Sequence, residues 1–209
     1  MKKKILIIKY DNSGNIGSLS NMLDDINKKN NFKFKIQLSK KAEDVNKADI
    51  VILPGVGQFD EVMSFLNNNK LKNSLKKHAK YKPIIGICIG MHILFNNSEE
   101  GKLKGFGFIR GAVKKIKEKK VPIIGWKKTV KCIDDKFIES KFNETYLYYL
   151  HSYEVFPENK KYVLMISVAN HNAIAALIKK KNLIGLQFHP ELSSISGFKI
   201  LENILLEYS

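Results

Sequence analysis

The 209-residue chain is poor in cysteine, tryptophan and proline, with two, one and five of them, and Arg110 is its single arginine. Two thiols, Cys88 and Cys132, are too few for a disulfide scaffold. Base-edge readout favours the flat guanidinium fork, which this chain almost lacks. No helix-turn-helix, zinc-finger or RNP pattern is present either. The net charge of +16 is therefore read as a solvated lysine coat, or as a basic face for an acidic protein, and no nucleic acid partner is expected. Long apolar runs are missing too: none approaches the ~18 residues of a membrane span. The opening "MKKKILIIKYDN" imitates a signal peptide, but its apolar stretch ends at Lys9, short of the roughly 7–15 residues a secretory core needs. The expectation is a cytoplasmic protein with no membrane partner.

What is present is regular patterning over a length that suits one domain, 1–209. "KKILIIKY", "FKFKIQLS", "ADIVILPG" and "PIIGICI" read as strands. Between them "NIGSLSNMLDDINKKN", "FDEVMSFL" and "LKNSLKKHAKY" carry helical spacing, and "MHILF" opens a further helix. Alternating strand and helix predicts an α/β fold with a mostly parallel sheet flanked by helices on both faces. The second half turns to closely spaced strand-like runs such as "VPIIGWKKTVKCI" and "TYLYYLHSYEV", which predict an antiparallel extension. "SGFKILENILLEYS" closes the chain as a helix.

The chemistry centres on "GICIG", residues 86–90, between a buried strand and a helix. This is the cysteine form of the G-x-S-x-G nucleophile elbow, whose turn is so tight that side chains at Gly86 and Gly90 would collide. It would lift the Cys88 sulfur into a cleft at a helix N-terminus, where partial positive charge favours the thiolate. An oxyanion would meet the Ile89 N–H. The second donor is expected from "LPGVG", at Val56 with Gly57 beside it. A thiol nucleophile also needs a base. Of five histidines, His78 lies on a lysine-rich helix and reads as solvated, and His171 sits in a polar turn. His92 is four residues past Cys88, behind the sulfur. His189 follows the apolar run "LIGLQF", and Glu191, two residues on, can hold its imidazole. A buried small hydrophobe at Cys88 and a surface turn at "HPE" are the plainer alternatives. No metal cluster is apparent, and no cofactor or metal is expected.

With these motifs in this order the chain resembles the triad glutamine amidotransferases, and more closely the glutaminase subunits of imidazole glycerol phosphate synthase. "GICIGMHILF", "GFGFIRG", "VPIIGW", "YLHSYEV", "QFHPELS" and the "GN" of "NSGNIGSL" carry the likeness. The resemblance implies a Cys88, His189, Glu191 triad that hydrolyses L-glutamine through a thioester. It implies oxyanion donors at Val56 and Ile89, and glutamine α-groups bound at His92, Ser152 and Tyr153. It further implies a heterodimer with a TIM-barrel synthase (cyclase) subunit, which receives the ammonia and makes imidazole glycerol phosphate in histidine biosynthesis. Asn15, Trp126 and Tyr148 would face that partner.

Three positions depart from the family pattern. His92 stands where glutamine is usual, Lys127 where asparagine is usual, and Leu192 where lysine is usual. The last two lie near the expected interface, so a paralogous subunit supplying ammonia for sugar amidation in surface polysaccharide synthesis stays open. So does a non-catalytic binding module, or a cysteine hydrolase, on the same fold.

Overall fold

The computed structural model describes residues 2–11, 16–118, 120–138, 142–169 and 172–209. Strands β1 (Lys4–Ile8), β2 (Lys35–Ser39), β3 (Ile50–Leu53) and β4 (Ile84–Ile87) alternate with helices α1 (Ile16–Lys29), α2 (Ala42–Lys47), α3 (Phe59–Asn68) and α4 (Leu71–His78). A one-turn helix α5 (Ile89–His92) follows β4. The strands β5 (Asn97–Ser98), β6 (Gly111–Lys115), β7 (Ile123–Lys131), β8 (Glu144–His151), β9 (Tyr153–Pro157), β10 (Val163–Ala169), β11 (Asn172–Lys180) and β12 (Leu183–Leu186) come next, and α6 (Ser194–Glu207) ends the chain.

Nine strands form one sheet in the order β2-β1-β3-β4-β12-β11-β10-β7-β8. The pairs among β2, β1, β3, β4 and β12 are parallel, and those from β12 out to β8 are antiparallel. Parallel strands must be covered on both faces, and strand alternation sorts their side chains accordingly. Ile5, Ile7, Ile50 and Ile52 pack under α1 and α6, whose Leu23, Ile26, Leu201 and Ile204 are buried. Leu6, Ile8, Val51 and Leu53 face the other way, onto Val62, Met63 and Leu66 of α3 and Leu75 of α4. The predicted parallel sheet with an antiparallel extension is therefore the observed one.

Some local expectations are corrected. The helix after the elbow lasts one turn, because the chain needs to reach β5 and pass Gly105 close under the Ile93 and Phe95 carbonyls. "TYLYYLHSYEV" is two strands in two sheets: β8 edges the large sheet, whereas β9 joins β5 and β6 in a three-stranded one. The short helix α2 was not expected. His78 is buried rather than solvated, its ring nitrogens 3.3 Å from the Val45 carbonyl oxygen and 3.2 Å from that of Pro83. His171 and Asn15 lie outside the described residues.

Candidate active site

The site forms where β4 and β12 end side by side. Their parallel register pairs Ile87 with Leu186, so Cys88 and Gln187 leave the sheet level with one another. The Cys88 N–H donates to the Leu186 carbonyl at 2.6 Å. Cys88 then adopts φ 48° and ψ −110°, a strained conformation for a side-chain-bearing residue. This is the expected elbow, with a refinement of why its glycines are needed. A Cβ at Gly86 would strike the Gly90 carbonyl, but one at Gly90 would strike the Leu53 backbone of β3. The turn is pinned against its neighbouring strand as well as against itself.

His189 lies two residues past Gln187, and its backbone is clamped: its N–H donates to the Tyr148 carbonyl at 3.0 Å, and the His189 carbonyl accepts from the Ser193 hydroxyl at 2.6 Å. Nδ1 pairs with Glu191 Oε1 at 2.9 Å, both side chains almost fully buried. Glu191 reaches the ring from a 3-10 turn, Pro190–Leu192, and not along an extended segment as expected. With Nδ1 engaged, Nε2 is left for the sulfur. Burial alone would push this imidazole down, but its interaction with Cys88, the bond with Glu191 and the charges of both outweigh burial and hold it up at about 10. Gly55 gives an independent measure of the closeness of the pair. A Cβ built there would lie 2.8 Å from His189 Cε1 and 3.0 Å from Cys88 Cβ.

A cavity of about 220 Å³ opens at the sulfur, lined by Gly57, Ile89, His92, Glu100, His151, Ser152 and Tyr153 among others. Ile89, Gly57, His92, Ser152 and Tyr153, all singled out in the sequence, line this cavity. Val56 lines a second cavity of about 410 Å³, which shares Gly57 with the first. Gly57 holds φ +95°, in the left-handed region that glycine tolerates.

Glu100 and His151 were not singled out in the sequence. Glu100 Oε2, His92 Nδ1 and His151 Nε2 are buried without hydrogen-bond partners among the described residues. His151 Nδ1 lies 2.9 Å from the Tyr153 carbonyl, which can only accept, so its Nε2 carries a lone pair. His92 Nε2 lies 2.9 Å from Gln187 Oε1, leaving its Nδ1 likewise an acceptor. Burial lowers His92 to about 4 and His151 to about 3, so both rings are neutral near pH 7. The cavity therefore joins the Cys88 sulfur to a set of acceptors suited to a cationic ammonium. No signal in "SEEGK" separates Glu100 from its acidic neighbours.

Beside the cavity is an exposed apolar face. Registered pairs Ile124–Leu150 and Trp126–Tyr148 project from β7 and β8, with Tyr146 beyond. Ile124, Trp126, Tyr146 and Leu150 are 53%, 49%, 60% and 45% exposed, far more than isolated surface hydrophobics require. Trp126 and Tyr148 meet edge to face, centroids 6.0 Å apart. The Leu150 carbonyl sits 3.7 Å from the Cys88 sulfur, so the same strand edges both face and nucleophile.

The sequence matches the class-I glutamine amidotransferase family over residues 13–208. It is 38% identical to "imidazole glycerol phosphate synthase subunit HisH 2" of Methanococcus maripaludis, over 96% of this chain and 98% of that one. It is 37% identical to the corresponding HisH subunit of Oceanobacillus iheyensis, over 95% and 96%. A solved glutamine amidotransferase of Thermotoga maritima shares the fold, with a TM-score of 0.64 and 20% identity over 100% of this chain and 83% of that one.

Proposed function

The chain belongs to the class-I glutamine amidotransferases, and within them to the HisH subunits of imidazole glycerol phosphate synthase, and on that premise we propose that it hydrolyses L-glutamine at Cys88. The ammonia released passes to a TIM-barrel cyclase subunit seated on the β7–β8 face, in the cytoplasm, where the free thiol of Cys88 stays reduced. The observation that carries this is the Cys88, His189, Glu191 chain, whose cysteine lines the cavity.

In this reading the Cys88 sulfur attacks the side-chain amide carbon of glutamine. The Ile89 N–H, with the Val56 N–H turned inward, stabilises the oxyanion. The His189 imidazolium gives its Nε2 proton to the departing nitrogen, which leaves as ammonia, and a glutamyl thioester remains. His189, now neutral, takes a proton from water, hydroxide attacks the thioester, and glutamate leaves as the sulfur is freed. Glu100, His92 Nδ1 and His151 Nε2 accept from the α-ammonium, while Ser152 and Tyr153 border the α-carboxylate. We further propose that the Val56 N–H turns toward the sulfur when the partner docks, so that glutaminase activity rises in the complex.

The test is glutamate release with and without the cyclase subunit. Cys88→Ala is expected to abolish glutamine use while ammonia-dependent synthesis by the partner persists. Glutamine use that survives the substitution overturns the assignment, and activity of the isolated chain equal to that of the complex overturns the turning of the Val56 peptide.

A further inference from the structure

Gln187 is fully buried beside the nucleophile and has no part in the triad. Its Nε2 is 3.8 Å from the Cys88 sulfur, and its Oε1 is 2.9 Å from His92 Nε2. The backbone places all three: β12 registers with β4 so that Gln187 leaves the sheet beside Cys88, and the His92 N–H bonds to the Cys88 carbonyl at 3.1 Å. We propose that Gln187 is a positioning residue for the nucleophile, its amide N–H directed at the sulfur because His92 holds the amide oxygen.

The chemistry turns on which end of the amide meets the sulfur. An N–H donor favours the thiolate, whereas a carbonyl oxygen in the same place repels it. A primary amide fits either way by shape, so its neighbour decides. His92 with its proton on Nε2 donates to Oε1 and turns Nε2 of Gln187 toward Cys88. The opposite tautomer would accept from the amide nitrogen and present oxygen to the sulfur. His92 Nδ1 lacks any other partner among the described residues, so an ammonium bound there selects the tautomer that orients Gln187 correctly. His92, which replaces the glutamine usual in the family, thereby keeps the one property this chain of bonds needs, a donor at Gln187 Oε1.

The inference rests on Cys88 being the nucleophile, and it is tested by a readout that needs no glutamine. In the full chain carrying Cys132→Ser, Cys88 is the remaining thiol, and its rate of alkylation by iodoacetamide is measured across about pH 4 to 10. The other titratable groups around the sulfur are His189 and Glu191 after β12, His92 on α5, His151 at the end of β8 and Glu100 after β5. Of these only His92 bonds to Gln187, and burial keeps it low, near 4, while that bond works to raise it. Gln187→Met removes the donor at similar volume, and Gln187→Glu keeps the shape and replaces the donor by an acceptor. Both are expected to move the alkylation midpoint upward by about half to one pH unit, the larger shift for Glu. His92→Phe, which frees the amide to turn, is expected to shift it the same way, and His92→Gln, which restores a donor, to leave it in place. Midpoints unmoved in both Gln187 variants overturn the proposal. A shift with Gln187 but none with His92→Phe overturns the role of His92. If Gln187→Met fails to fold, the isosteric Gln187→Glu carries the test alone. Should Cys88→Ala retain glutamine use, the function falls while the alkylation result still stands.

Discussion

At the scale of single residues the site is governed by how close two backbones come. Gly55 shows this best, since neither its spacing nor its neighbours in "LPGVG" announces that a side chain there would touch both His189 and Cys88. Gly55→Ala is expected to push the rigid His189 ring off the sulfur and to lower kcat/KM by about 10–100-fold, because misplacement by a fraction of an ångström is costly when reacting groups must be aligned. Steady-state glutaminase kinetics of the complex check this, and unchanged kinetics would mean the ring moves without consequence. Gly86 and Gly90 were legible as a pair, but the partner that Gly90 must clear is Leu53, more than thirty positions upstream, and only the sheet order brings it there.

At the scale of elements, β8 does several jobs at once. Its inward residues Thr145, Leu147, Tyr149 and His151 are buried, and Tyr146, Tyr148 and Leu150 point outward, a period of two that the sequence shows plainly. Its backbone carbonyls meet His189 N–H from Tyr148 and the Cys88 sulfur from Leu150, which no pattern of side chains reveals. Trp126→Ala and Tyr148→Ala are each expected to weaken binding of the cyclase subunit by about 2 kcal/mol or more, as truncation of a central aromatic anchor does. Titration calorimetry with the cyclase subunit measures it. Binding unchanged in both variants would place the partner on another face. The helix after the elbow was over-read for a related reason: the apolar run "MHILF" fits a helix, but the chain leaves after one turn to build the small sheet of β5, β6 and β9.

For the whole molecule, the buried histidines set the pH response of stability. His92 and His151 have folded values near 4 and 3, below the ordinary value of about 6.5. Between those values the unfolded chain binds more protons, so stability rises with pH and is lost as pH falls below about 6.5. His189 has the opposite sign: its raised value contributes stability present below about 6.5 and lost as pH rises through about 10. Urea denaturation is expected to show an unfolding free energy that falls from pH 6.5 toward pH 4, by up to about 1.4 kcal/mol per pH unit for each of His92 and His151. The drop should be shallower in His92→Gln and His151→Gln. An acid limb equally steep in both variants would assign it to other groups.

Local patterning determined the parallel half of the sheet, the elbow at Cys88 and the His189 and Glu191 pair. Each depends on residues close together in the chain or on a period of 2 or 3.6, and such signals survive in one dimension. Only the tertiary structure decided that Gln187 stands level with Cys88, that Glu100 and His151 close the cavity, that Val56 lines the cavity next door, and that Gly55 separates base from nucleophile. These are distances between elements far apart in sequence, fixed by strand order and register, and packing alone sets them.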